Sequence, residues 1–113
     1  MALELPEPDV TLARRVFAEV EFDRRLVLIH QGRRGPVTIT VYTMWEILGC
    51  LELPRPEIDL RRIAGWIEET VGDAALAVAI RDLDRQADER EKIIEQVKYL
   101  IAERLRQCWE RLG

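Results

Sequence analysis

The 113-residue sequence contains no serine and no asparagine, and it has a single histidine, His30. The lack of serine excludes a serine nucleophile, whether a histidine or a lysine would activate it. A cysteine nucleophile would require Cys50 or Cys108 to meet His30, and their spacing matches no known nucleophile signature. We therefore predict no catalytic residues of these classes and favour a protein without enzymatic activity.

The residues that usually form metal and cofactor sites are also missing from the sequence. The two cysteines form no Cys-x-x-Cys pair, and no second histidine completes a ligand set. A stripe of carboxylates recurs at helical spacing in the second half, but basic residues flank it, which is typical of a solvated face. Its members are Asp84, Asp88, Glu91 and Glu95. We predict neither a metal site nor a cofactor.

The charge balance and the short apolar runs limit which cellular compartment and which partners we expect. Seventeen basic residues against 21 acidic residues give a net charge of -4, and no half of the chain is strongly basic. The longest apolar run is residues 74–80, far short of a membrane span, and the N-terminus lacks a secretory signal. Two cysteines fit a reducing compartment, so we expect a soluble, cytoplasmic protein.

Amide residues are scarce, and arginine supplies most of the positive charge. Glutamine occurs four times, and 15 of the 17 basic residues are arginine. Few thermolabile amides are one mark of thermophilic proteins, although a GC-rich genome produces the same arginine bias. A thermophilic origin is therefore one of two interpretations of this composition.

The length allows one domain, residues 1–113, and the residue pattern predicts an α+β fold. Residues 1–8, with Pro6 and Pro8, are predicted to form an extended arm. Residues 9–42 form a strand-rich part and residues 43–113 a helical part. We expect an N-terminal β-hairpin followed by two short helices and a long C-terminal helix.

Residues 9–22 fit two secondary structures. Val10, Ala13 and Val16 fall on one helical face, whereas Val16, Val20 and Phe22 also fit the alternation of a strand. We favour a short helix or turn from Asp9, followed by a strand that begins near residue 15.

The strongest strand pattern lies in residues 26–42. An apolar run at residues 26–29 is followed by a turn-rich segment, residues 32–36, and then by alternating β-branched residues at 37–42. This order predicts a β-hairpin with Arg33 and Arg34 at its tip.

Capping residues and glycine predict the limits of two short helices. Thr43 stands three residues before Glu46, which is the capping-box spacing, so a helix should cover residues 44–53 and end before Pro54. Asp59 is the next N-cap, and an apolar stripe indicates a second helix that Gly72 ends.

Residues 73–112 contain neither glycine nor proline. One continuous helix of this length would be a rod of about 60 Å, which would protrude from a compact domain. Its polar middle, residues 81–92, separates two apolar flanks, so the alternative is a hinge at residues 86–89 that folds the last helix back. We favour a continuous or gently bent helix, because residues 86–89 contain no helix breaker.

The apolar side of the C-terminal helix carries our functional prediction. Its apolar arc is too wide for a two-stranded coiled coil and indicates a bundle. We predict a non-catalytic interaction or assembly protein that forms a dimer or higher homo-oligomer through this helix, with an unidentified protein as a further possible partner. The predicted interface residues are Ile94, Val97, Ile101, Leu105, Trp109 and Leu112.

Two other functions are compatible with the sequence. Arg33 and Arg34, between two glycines at a hairpin tip, could contact nucleic-acid phosphates, although the net negative charge counts against this role. A small enzyme could also act with carboxylate and arginine groups alone. Neither alternative has a recognised motif in this chain.

Overall fold

The computed structural model describes residues 5–52 and 58–113, and it has the predicted α+β architecture. A two-stranded antiparallel hairpin and several helices surround one cluster of buried apolar side chains. The elements are α1 (Val10–Phe17), β1 (Leu26–Gly32), β2 (Gly35–Val41), α2 (Met44–Leu51), α3 (Leu60–Trp66), α4 (Ala74–Asp84) and α5 (Arg90–Leu112). In the described ranges, no helix combines the length and the hydropathy that a membrane span requires.

The first helix is longer than the sequence predicted. Asp9 caps α1 by accepting a hydrogen bond of 2.7 Å from the backbone N–H of Leu12. The predicted strand near residue 15 is wrong, because α1 continues to Phe17 and an extended connection and a short 3₁₀ turn follow. Ala13 and Val16 are fully buried, since α1 packs against α5. Burial of one face of α1 therefore determines the secondary structure of this segment, although its sequence also alternates as a strand would.

The hairpin is confirmed with the predicted tip. Gly32 pairs with Gly35, and Arg33 and Arg34 form the two-residue turn between them. Gly35 has a positive φ of 111°, a conformation that glycine adopts without steric cost. Leu28, opposite Ile39, points into the core, so one face of the hairpin is anchored there.

The predicted caps of the two short helices are also confirmed. The hydroxyl of Thr43 accepts a hydrogen bond of 3.3 Å from the N–H of Glu46, and α2 begins at Met44. α2 ends at Leu51, while the predicted end at residue 53 and the following prolines lie outside the described residues. Asp59 caps α3, which continues as a π-helical turn, Ile67–Val71, and stops at Gly72 with φ 86°.

The continuous C-terminal helix is wrong, and the predicted alternative, a hinge, is present. α4 ends at Asp84, residues 85–89 form a turn, and α5 folds back onto α4 and α1. Arg90 stabilises the turn between α4 and α5. Its guanidinium donates hydrogen bonds to the carboxylate of Asp84 at 2.6 Å and to the carbonyl of Ile58 at 2.9 Å. Side-chain pairs along one continuous helix would contribute only a few tenths of a kcal/mol each. Folding α5 back buries both apolar flanks, and this burial contributes more free energy than those pairs.

The described part of the N-terminal arm, residues 5–8, has no regular secondary structure and lies against α5. Arg104 donates to the carbonyl of Pro6 at 2.6 Å, and Gln107 donates to the carbonyl of Leu5 at 3.1 Å. Pro8 is buried. Side chains of α5 therefore determine the course of the arm.

Candidate interaction surface

The chain itself covers most of the predicted interface. Ile94, Val97, Ile101 and Leu105 are at most 2% exposed and belong to the core formed by α5 with the other elements. Trp109 and Leu112, near the end of α5, are 71% and 43% exposed. The four buried residues therefore offer no surface to a partner in this structure, and the exposed end of α5 does.

An aromatic cluster extends from that end of α5 across two other helices. The ring of Phe17, at the end of α1, lies 6.2 Å from the ring of Trp45 in α2 and 6.1 Å from the ring of Trp109. The second pair is edge-to-face, an arrangement that aromatic quadrupoles favour. We call Phe17, Trp45 and Trp109 the aromatic surface.

Both tryptophans of the aromatic surface are more than half exposed, whereas Phe17 between them packs against the core. Helix geometry explains the exposure of Trp45. Met44 and Ile47 are the buried residues of that turn of α2, and Trp45 is rotated about 100° from Met44. Trp109 similarly follows the buried Cys108. Each tryptophan thus stands at the edge of an apolar face.

Both tryptophans line a shallow cavity of about 440 Å³. Its other lining residues are Ala102, Leu105 and Arg106. Arg106 donates to Glu110 at 2.7 Å and also to Glu103. Hydrogen bonding to Arg106 lowers the pKa of the Glu103 carboxyl. The surface therefore has an apolar centre and a charged rim, which is the composition typical of protein interfaces.

Arg33 and Arg34 are exposed at the hairpin tip, as predicted. Two other arginine pairs, Arg24–Arg25 and Arg61–Arg62, make contacts within the chain. Arg24 donates to the carbonyl of Glu69, Arg25 lies 3.9 Å over the ring of Phe22, Arg61 is paired with Asp84, and Arg62 donates to the carbonyl of Val27. The Arg61 side chain is 86% exposed, so these contacts do not withdraw the arginines from the surface.

Both cysteine side chains are buried. Burial raises the pKa of both thiols, that of Cys108 to about 11, so neither favours the thiolate needed for nucleophilic attack. The Nδ1 atom of His30 is buried and has no hydrogen-bond partner among the described residues. Within residues 5–52 and 58–113, no cluster of three or more His, Cys, Asp or Glu side chains is arranged to hold a metal ion.

Sequence reasoning identified Trp109 but not Phe17 or Trp45 as part of one surface. Phe17 lies in the segment for which the sequence predicts a strand. The three residues meet through contacts among α1, α2 and α5. Their spacing along the chain carries no signal of that meeting, because it depends on how the helices pack.

Comparison with protein-family models, with curated proteins and with solved structures finds no match for this chain. The aromatic surface is therefore supported by its geometry, exposure and charge.

Proposed function

We propose that the protein is a non-catalytic assembly protein that associates with a second copy of itself through the aromatic surface. The observation that supports this function is the exposure of Trp45 and Trp109, 55% and 71%, which both line one apolar cavity. Tryptophans are enriched among the residues that contribute most to protein binding. The proposal includes the cytoplasmic location expected from the sequence.

The size of the surface fits a reversible contact. If a fully exposed tryptophan presents roughly 250 Å², the two indoles leave about 300 Å² in water per copy. A two-fold contact would bury about twice that area, whereas stable interfaces bury about 1,200–2,000 Å² in total. Exposed neighbours such as Tyr99 and Leu112 would add to it. We therefore expect a dissociation constant in the micromolar range.

The rim charges suit a symmetric contact. In a two-fold interface the same patch meets itself, so a contact from one residue to another occurs twice. Arg106 and Glu110 lie one helical turn apart on α5 and are about half exposed or more. An antiparallel meeting of two α5 helices would bring each Arg106 towards Glu110 of the partner subunit, which gives the rim opposite charges on both sides.

Sedimentation and fluorescence over a concentration series test this proposal together. The wild-type mass should rise above that of the monomer between about 1 µM and about 300 µM, and tryptophan emission should shift to the blue, because association removes indole rings from water. Trp109→Glu should abolish the blue shift and weaken the association. Phe22→Ala is the matched control, since Phe22 is an aromatic residue 68% exposed outside this surface.

A wild-type protein that remains monomeric over the whole range would overturn the proposal. A rise in mass without a blue shift, unchanged by Trp109→Glu, would equally exclude the aromatic surface as the contact.

A further inference from the structure

In the part of the chain that the structure describes, no strand pairs with the outer edge of β2. The pairing of Gly32 with Gly35 around a two-residue turn makes the backbone groups of residues 36, 38 and 40 point away from β1. Position 36 can be a proline because an N–H there would point away from β1, so the hairpin loses no hydrogen bond. Among the described residues, no backbone group pairs with the outward N–H and C=O groups of Thr38 and Thr40.

One end of this edge is already used as a pairing site. The N–H of Val20 donates to the carbonyl of Tyr42 at 2.9 Å, so the extended connection after α1 touches the edge just beyond β2. Carboxylates surround this point: Glu19 and Glu21 flank Val20 and are exposed, and Glu46 accepts a hydrogen bond of 3.0 Å from the N–H of Tyr42. The C-terminal end of the β2 edge is therefore acidic.

The other end of the same edge is basic. Arg33 and Arg34 are exposed at the tip, directly before β2 begins at Gly35. The seven residues of β2 between the two ends carry no charged side chain. The edge thus has opposite charges at its two ends and open backbone groups between them.

We propose that this edge pairs with the same edge of a second copy of the chain, antiparallel, to form a continuous four-stranded sheet. Antiparallel pairing about a two-fold axis brings the Arg33–Arg34 tip of each copy to the acidic end of the other. When Thr38 lies opposite Thr38 of the partner subunit, four backbone hydrogen bonds form, and none requires an N–H from Pro36. Two join the Thr38 residues, and in the other two the N–H of Thr40 donates to the carbonyl of Pro36 of the partner subunit; the place beside Tyr42 stays with Val20.

Within residues 5–52 and 58–113, space is left beside the end of β2. A groove of about 340 Å³ runs between the end of β2 and α2, with Ile39, Val41 and Cys50 among its lining residues. Gly49 in the opposite wall has open space where a side chain would stand. Val37, 51% exposed on the inner face of the hairpin, would gain a neighbour opposite it in the register above.

This edge is separate from the aromatic surface and does not depend on the function proposed for that surface. The experiment therefore uses a parent chain that carries Trp45→Glu and Trp109→Glu, in which the aromatic surface cannot associate. Edge pairing should leave this parent in a monomer–dimer equilibrium that weakens as salt is added, because charges at both ends support it.

A charge exchange tests the antiparallel arrangement. Two chains are made in the parent: one with Arg33→Glu and Arg34→Glu, the other with Glu19→Lys and Glu21→Lys. Each chain alone should dissociate, because its two ends then carry like charges. An equimolar mixture should form a heterodimer, because each end of one chain then meets an opposite charge on the other.

A backbone variant tests the strand pairing itself. Thr38→Pro removes an outward N–H without removing a hydrogen bond to β1, so it should weaken association by about tenfold or more, since the two-fold axis doubles the loss. Thr38→Ala is the matched control; it keeps the N–H and should associate like the parent. Circular dichroism and thermal unfolding confirm that both variants fold.

A parent that is monomeric at about 300 µM would overturn the edge proposal and leave the aromatic surface untouched. A mixture of the exchanged chains that does not associate, or a Thr38→Pro chain that associates like Thr38→Ala, would also overturn it.

Discussion

Arg104 and Asp73 form a two-pronged ion pair inside the core, with Nε to Oδ2 at 2.7 Å and Nη2 to Oδ1 at 2.9 Å. Both side chains are 1% exposed. Asp73 also caps α4 through the N–H of Leu76, and Arg104 also binds the carbonyl of Pro6. One buried pair therefore joins the start of α4, the middle of α5 and the N-terminal arm.

Removal of one member of this pair should be strongly destabilising. Arg104→Met leaves the Asp73 carboxylate buried without its partner, and we expect the free energy of unfolding to fall by about 3–5 kcal/mol. Urea unfolding at a concentration where the chain is monomeric measures the change.

The control for that change is Arg106→Met, in the same helix. The Arg106 side chain is 51% exposed, and its ion pairs lie in water, so its loss should cost at most about 1 kcal/mol. Equal effects of the two substitutions would contradict the structural role of the Arg104–Asp73 pair.

The two buried thiols should resist alkylation in the folded protein. Burial raises the pKa of Cys108 from its ordinary value of 9.0 to about 11, and it raises the pKa of Cys50 as well. At pH 8 iodoacetamide should therefore modify both slowly, and urea should accelerate the reaction by exposing them. Mass spectrometry of the intact chain follows the modification; rapid reaction of either thiol without urea would show that it is accessible.

The same shift has a consequence for stability at high pH. Because the folded state holds the proton of Cys108 more tightly than the unfolded state, the contribution of this thiol is constant below pH 9.0 and is lost as pH rises towards about 11. Wild type should therefore lose more stability than Cys108→Ala between pH 8 and pH 11. Equal losses of unfolding free energy in the two proteins over this pH range would contradict the assignment of the loss to the Cys108 thiol.

Two glycines should respond to alanine in opposite directions. Gly72 has a positive φ of 86°, and an added Cβ would lie 3.1 Å from Nη1 of Arg15, so Gly72→Ala should destabilise the fold by about 1 kcal/mol or more. Gly65 lies within α3, and an added Cβ there meets open space; Gly65→Ala should stabilise the protein by up to about 1 kcal/mol. Thermal unfolding of both variants checks the pair, and changes of the same sign would contradict the assignment.

Local features were predictable because the groups involved are close along the chain. Thr43 caps a helix through the N–H of Glu46, and Gly72 stops a helix through its own backbone conformation. The hairpin likewise depends on a two-residue turn between alternating strands. The error at residues 15–22 arose where two local patterns fitted equally, and packing of α1 on α5 selected the helix.

The sequence alone determined the fold class, the hairpin with its arginine tip, the helix caps and the absence of serine chemistry, because each depends on composition or on residues within a few positions. The tertiary structure decided that the C-terminal segment breaks at residues 85–89, that Arg104 is buried against Asp73, and that Trp45 and Trp109 share one exposed surface. These features depend on contacts between segments far apart in sequence. Their free energy comes from burying the apolar faces of α1, α2, α4 and α5 together, which no local pattern contains.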